Sequence, residues 1–145
     1  MRRMTLIVSL LIALAAMMTP EGARAQPADP CSLGHKTNVA ISESASAVII
    51  PGQAGTRTFL CFVFLGTAGA QNISIVEGTG AVCATNQLII MGGPGATGPP
   101  SQANGTITLG GGGATIGLST VTGNDVCLLQ SASGLVAGNM IYVRQ

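Results

Sequence analysis

The sequence predicts an all-β protein, an antiparallel β-sandwich or jelly-roll-like barrel of about eight short strands with two disulfides. Short β-branched runs separated by Gly, Pro, Asn and Ser recur about every dozen residues. Helix signals are nearly absent after the N-terminal segment, and the 145 residues include 21 glycines. The chain is 47% hydrophobic and only 8% charged, a composition that argues against disorder.

The N-terminal segment has the three parts of a secretory signal peptide. Two arginines form a basic start, an apolar run follows over residues 6–16, and Ala-Arg-Ala at 23–25 forms a cleavage site. The apolar run is shorter than the roughly 20 residues that span a bilayer, so a retained anchor is the weaker interpretation. We predict a signal peptide at 1–25, a single β-sandwich domain at 26–145, no membrane span after cleavage, and a secreted, periplasmic or cell-surface protein.

Nine segments after the signal are candidate strands. Residues 72–75 and 106–109 alternate strictly between polar and apolar side chains, as half-buried antiparallel strands require. The run from residue 114 loses its alternation near Ser119 and Thr120, which predicts a bulge there. The candidate segments are 37–42, 45–50, 57–66, 71–77, 87–91, 105–109, 114–121, 125–131 and 139–144.

Both faces of the segment 59–65 are apolar, since successive side chains of a strand point to opposite sides. Other parts of the protein must cover both faces, so we predict that this segment is a central strand. We expect one face to lie against another subunit, and an equally good alternative is that a loop of the same chain covers it. The candidate interface residues are Leu60, Phe62 and Phe64, and the other face carries Phe59, Cys61, Val63 and Leu65.

All the cysteines follow the predicted cleavage site, and an even number in an exported chain favours two disulfides. Their spacings of 30, 22 and 44 include no close pair of the kind that structural zinc sites use, so we predict no metal site. Three pairings are possible, and the spacing leaves all three open. The residues are Cys31, Cys61, Cys83 and Cys127.

Residues suited to catalysis are few, so an enzyme such as a hydrolase is a less favoured interpretation. His35, the only histidine, lies in a polar stretch, and a serine-type triad would need it as its base. Glu43 and Glu77 lie at predicted strand ends, where a solvated role is more usual than that of a glycosidase pair. We predict no catalytic residue and no cofactor. Six basic against five acidic residues leave no excess for binding nucleic acid.

Three short segments carry a pattern known from other proteins. They are 77–86, which contains Gly78-Thr79-Gly80-Ala81-Val82-Cys83, then 123–128 and 136–143. In these segments the chain resembles a group of small secreted or phage-associated bacterial β-sandwich proteins with a Gly-Thr-Gly-x-x-Cys turn. The resemblance implies a sandwich over most of the mature chain and, for phage members, a place on the virion surface. It also implies the pairs Cys83–Cys127 and Cys31–Cys61.

A non-catalytic structural or adhesive protein, secreted or surface-exposed and oligomeric, accounts best for these features. The alternatives are a pilus-type subunit assembled by strand donation, which the alternating segment 140–143 would suit, and a virion surface component. A carbohydrate-binding module is less favoured, because the chain has no Trp, one Tyr and three Phe that we expect to be buried. The expected partners are further copies of the chain or other surface proteins.

Overall fold

The computed structural model describes residues 28–111 and 113–145, so the predicted signal peptide and its cleavage site lie outside the described residues. Within these residues the chain forms ten strands, a one-turn α-helix and a 3-10 turn at Ala81–Cys83, and the all-β prediction is confirmed. Their bounds are α1 Pro30–Leu33, β1 Thr37–Glu43, β2 Ala47–Ile50, β3 Thr58–Thr67, β4 Gln71–Thr79, β5 Thr85–Met91, β6 Pro100–Ser101, β7 Thr106–Gly110, β8 Gly117–Leu118, β9 Asp125–Gln130 and β10 Val136–Arg144.

The strands form two antiparallel sheets, and the fold is a β-sandwich. Sheet I has the order β1-β10-β3-β7, and the short β8 also pairs with β3. Sheet II has the order β2-β9-β4-β5, and β6 also pairs with β4. β3 is therefore an inner strand of its sheet, as its doubly apolar sequence predicts.

The core lies between the sheets and is built from the inward-facing residues of six strands. In β4 the isoleucines of the predicted alternating pattern, Ile73 and Ile75, are fully buried. Ser74, on the opposite side of the strand, is also buried, because the loop after β5 covers it and donates the N–H of Gly93 to its hydroxyl. The buried core residues are Ile41, Ile49, Ile50, Leu60, Val63, Leu65, Ile73, Ile75, Val126, Leu128, Val136 and Met140.

Two disulfides attach peripheral segments to the sheets. Cys83–Cys127 joins the 3-10 turn after β4 to β9, and Cys31–Cys61 joins α1 to β3. This is the pairing that the resemblance implies. Each bond lies in its own buried cluster, so each anchors a segment that covers the outer side of one sheet.

Several local predictions are wrong. Of the predicted strand 114–121, only Gly117 and Leu118 form a strand, and the N–H groups of Ile116 and Ser119 extend its hydrogen bonding to β3 by one residue on each side. Ser119 and Thr120 do not form a bulge, because their side chains hydrogen-bond to the carboxylate of Glu77. The short helix α1 was not predicted, and β10 begins three residues before the predicted segment 139–144.

Candidate interaction surface

A bulge at Cys61 redistributes the side chains of β3 between the two faces of sheet I. The partners of Leu60 and Phe62 are consecutive residues of β10, so Cys61 has no partner there. The alternation of side chains therefore changes phase at this position. Leu60 lies in the core and is 1% exposed, whereas Phe62 and Phe64 lie on the opposite side of the sheet. The structure thus separates Leu60 from the other two residues of the predicted interface.

The helix α1 covers one part of the outer side of sheet I. Its Cys31 is fully buried and packs with Cys61, Val143 and Phe59. A segment of the same chain therefore covers this part, as the loop alternative supposed. The cover does not reach Phe64, which stays 39% exposed. The expectation that all three phenylalanines are buried is wrong for Phe64.

The uncovered part of sheet I, which we call the outer face, consists of three rows of residues across four strands. The register places Phe64 between Asn139 and Thr108, and Phe62 between Ile141 and Gly110. None of the twelve residues of the outer face is charged. They are Asn38, Ala40, Ser42, Phe62, Phe64, Gly66, Thr106, Thr108, Gly110, Ala137, Asn139 and Ile141.

A shallow depression lies at each end of the outer face. One, of about 260 Å³, is lined by Phe62 and Ile141, with Lys36 at its rim. The other, of about 320 Å³, lies beside Gly66 and Ala137. Aromatic and aliphatic side chains at the centre, with small neutral residues around them, favour apolar contact over ionic contact.

Three carboxylates accept hydrogen bonds from backbone N–H groups of loops and thereby have a structural role. The carboxylate of Asp125 accepts a hydrogen bond from the N–H of Gly52 at 2.6 Å. That of Asp29 accepts from the N–H of Cys31 at 2.8 Å and from the N–H of Thr115 at 2.9 Å. The hydrogen bonds from the backbone and the hydroxyl of Thr115 are the main reason why the pKa of Asp29 lies below its ordinary value of 3.8.

Glu77 is the third of these carboxylates and the most deeply buried, at 1% exposed. The prediction of a solvated role is wrong for this residue. Its Oε2 accepts from the hydroxyl of Ser119 at 2.6 Å, the N–H of Val121 at 3.2 Å and Nδ2 of Asn124 at 3.3 Å. Its Oε1 accepts from the N–H of Thr120 at 2.7 Å and from the hydroxyl of the same residue. Glu77 therefore anchors the loop between β8 and β9.

Two opposing effects set the pKa of Glu77. Burial raises the pKa of its carboxyl group, because it disfavours the charged form. The hydrogen bonds from Ser119, Thr120 and Val121 favour the charged form, and together they outweigh burial and hold the pKa below its ordinary value of 4.5. The group is therefore an ionised structural anchor at neutral pH.

The other candidate residues do not converge on a chemical site. His35 is exposed just before β1, as its polar surroundings predict. Within residues 28–111 and 113–145, no three His, Cys, Asp or Glu side chains are grouped as a metal site would require. No helix in the same part of the chain combines the length and apolar character needed to cross a membrane. Comparison with protein families, with curated proteins and with solved structures gives no significant match.

Proposed function

We propose that this protein is a secreted or surface-exposed structural or adhesive protein without catalytic activity, and that it associates with further copies of itself through the outer face. The observation that carries the proposal is the exposed, uncharged outer face with Phe64 at its centre. Two copies that meet through this face bring no like charges together at its centre, because none of its twelve residues is charged and Lys36 lies at the rim.

The size of the outer face sets the expected strength of association. Four strands spaced about 4.8 Å apart and three rows spaced about 6.8 Å apart cover about 400 Å². A standard interface buries about 800 Å² on each partner, so the outer face alone provides about half of that area. We therefore expect a weak, reversible association in the micromolar range.

Paired cysteines and loop-anchoring carboxylates support a structural role outside the cytoplasm. Two disulfides are compatible with an oxidising compartment. Three carboxylates accept hydrogen bonds from loop N–H groups, namely those of Asp29, Glu77 and Asp125, and these bonds stabilise the fold. Because their oxygens are occupied in this way, few carboxylates remain for general acid–base chemistry.

The pilus-type alternative depends on the sheet edges, because strand donation requires an open edge with regular pairing geometry. The edge strand β5 is interrupted by irregularities in its pairing with β4 on both sides of Leu88 and Ile89, and such bulges twist an edge away from further strand pairing. The other seven-residue edge strand, β1, pairs with β10 without a register shift, so it is the edge that a donated strand would extend. The virion alternative would use the same outer face, but the export signal predicted at 1–25 favours a cell-surface role.

Sedimentation velocity of the oxidised chain 26–145 tests the proposal. Over about 1 to 100 μM, the wild type should shift from monomer to larger species, and Phe64→Ser should weaken this association by about tenfold or more, as expected for a central interface residue. Phe64 is 39% exposed, so its replacement also removes partly buried apolar area and should lower the urea midpoint, while the variant stays folded because the core residues of β3 are unchanged.

The matched control is Val48→Ser. Val48 is 37% exposed and lies on β2, in the other sheet. This change removes a similar exposed apolar side chain and should leave the association constant unchanged. Equal effects of Phe64→Ser and Val48→Ser on association would contradict the assignment of the outer face.

A further inference from the structure

The edge strands of the two sheets differ in how well they are protected against further pairing. Native proteins protect an edge by a short strand, a bulge, a charge or a proline. The pairing of β2 shifts between Val48 and Ile50, the pairing of β5 is irregular, and β7 has only five residues. The seven residues of β1 pair with β10 without a shift, include no proline and carry a charge only at the last position, Glu43. The strand β1 is therefore the edge that remains open to another strand.

The register of sheet I shows which backbone groups of β1 point away from the protein. Gln145, which follows β10, and Arg57, which precedes β3, exchange both of their backbone hydrogen bonds. Because such bonds alternate sides along a strand, the odd-numbered residues of β10 face β3 and the even-numbered ones face β1. The even-numbered residues of β10 lie opposite the odd-numbered residues of β1 throughout their pairing. The N–H and C=O groups of Asn38, Ala40 and Ser42 therefore point outward, and we call these groups the β1 edge.

The β1 edge is accessible, and no other segment in the described part of the chain covers it. Asn38, Ala40 and Ser42 are exposed. None of the backbone hydrogen bonds that join separate segments within residues 28–111 and 113–145 involves them. Donors and acceptors that alternate along an extended strand are matched by the backbone of another extended strand. The chemistry of the β1 edge thus selects an extended peptide segment as its partner.

The side chains of β1 indicate what kind of segment fits the β1 edge. Ile41 lies in the core, and Val39 is half-buried and packs against it. Apolar residues of an added strand opposite these two positions would continue the core. Lys36 precedes β1 and Glu43 ends it, so an antiparallel segment with a basic residue at its start and an acidic residue at its end is complementary in charge.

A second copy of this chain fits the β1 edge less well than a separate segment does. The strands β1 and β2 lie at the same margin of the sandwich, since each ends its sheet and the two are in contact. Two copies that pair through β1 would also bring their β2 edges together. The register shift in β2 interrupts the geometry that a second pairing needs, so its backbone groups would lose water without gaining partners. A single added strand covers β1 alone and leaves β2 hydrated.

We propose that the β1 edge binds an extended segment of a different protein, antiparallel to β1, with apolar residues at alternate positions, a basic residue at its start and an acidic residue at its end. This interaction goes beyond the proposed self-association through the outer face, because it uses backbone hydrogen bonds and a different partner. It attaches a structural or adhesive protein to a second protein of the surface.

Titration of the oxidised Phe64→Ser protein with a synthetic peptide tests the proposal. This variant removes association through the outer face, so only binding at other surfaces contributes. The probe is the end-blocked peptide Lys-Thr-Val-Ala-Val-Thr-Thr-Glu. When its alanine lies opposite Ala40, its valines lie opposite the core-facing residues of β1 and its charged ends lie opposite Glu43 and Lys36. We expect a Kd of about 1 mM or tighter, measured by nuclear magnetic resonance.

Amide hydrogen exchange locates the bound peptide. In the free protein the N–H groups of Asn38, Ala40 and Ser42 should exchange rapidly, while those of Val39 and Ile41 are protected by their bonds to β10. The peptide should slow exchange at the first three positions and leave the other two unchanged.

A proline at the centre of the β1 edge provides the matched variant. Ala40→Pro removes an N–H that points outward and keeps the bonds between β1 and β10, as proline does on an edge strand. It should weaken peptide binding by about tenfold, since a bond is lost and a carbonyl of the peptide is left without its donor. Ala40→Ser keeps the backbone N–H and should bind as the parent protein does. Urea midpoints establish that both variants are folded.

Methylated peptides keep the test valid if Ala40→Pro fails to fold. A methyl group on the backbone nitrogen of the peptide's alanine replaces the N–H that faces β1, and it should abolish binding. The same methyl group on the next valine replaces an N–H that points away from β1 and should leave binding within about twofold of the parent peptide.

The outcomes separate this proposal from the proposed self-association. Failure of the parent peptide to bind at about 2 mM, or equal binding of both methylated peptides, overturns the β1 edge and leaves the outer face untouched. Equal binding of a peptide with its charged ends exchanged overturns the assigned direction. Dimers of Phe64→Ser that disappear in the double variant with Ala40→Pro would show that a second copy occupies the edge and would overturn its assignment to a different protein.

Discussion

Glu77 shows how a single buried side chain fixes a loop that has no regular secondary structure of its own. Five hydrogen-bond donors surround its carboxylate, and no cation is among them. These bonds fix the path of the loop between β8 and β9. Nothing in the local sequence of Glu77 predicts them, because the donors lie more than 40 residues away in the chain.

Replacing Glu77 by glutamine tests the anchor. The amide nitrogen of Gln is a donor, so it would face donors from the loop and leave some of them unsatisfied. We expect Glu77→Gln to lower the free energy of unfolding by about 2 to 3 kcal/mol. Glu43→Gln makes the same chemical change at the other candidate carboxylate and should cost less than about 0.5 kcal/mol. Urea denaturation at neutral pH measures both, and equal losses would contradict the role of Glu77.

The same residue predicts a pH dependence. The pKa of Glu77 is lower in the folded protein than its ordinary value of 4.5, so the unfolded chain binds more protons as the pH falls below 4.5. The stabilisation is therefore complete above this value and is lost as the pH falls through the folded pKa. Asp29 acts in the same direction below 3.8. Urea midpoints from pH 6 to pH 3 should fall steeply for the wild type and less steeply for Glu77→Gln; parallel curves would contradict this.

At the level of elements, the sequence predicts strands well and their irregularities poorly. The strict alternation of residues 72–75 correctly predicts which side of β4 faces the core. The same reasoning fails in β3, because one unpaired residue at Cys61 reverses the alternation and moves Leu60 into the core. A bulge depends on the register with a partner strand, which the sequence of one strand does not contain. The separation of Leu60 from Phe62 and Phe64 was therefore not predictable from the sequence of β3 alone.

The disulfides make separable contributions to stability. By the loop-entropy model, removing either bridge should lower the free energy of unfolding by about 3.5 to 4 kcal/mol. Replacing Cys31 and Cys61 by alanine also releases α1, so amide hydrogen exchange should accelerate at 31–34 while β4 and β9 stay protected. Replacing Cys83 and Cys127 should instead accelerate exchange in the turn at 81–83. Faster exchange at both sites in both double variants would show that the bridges do not act locally.

At the scale of the whole molecule, the outer face covers one broad side of sheet I and is the surface through which we propose that two copies meet. Such a contact is isologous, because each copy contributes the same residues. A two-fold contact closes on itself, so it leaves no unpaired outer face for a third copy.

This arrangement predicts an assembly that stops at the dimer. Over about 1 to 100 μM, the mass of the wild-type chain 26–145 should rise with concentration to twice that of the monomer and no further. Phe64→Ser should remain mostly monomeric over the same range, because it removes the central side chain of the outer face, and Val48→Ser should dimerise as the wild type does. A wild type whose mass continues to grow beyond the dimer would show that a second surface takes part and would contradict a single two-fold contact through the outer face.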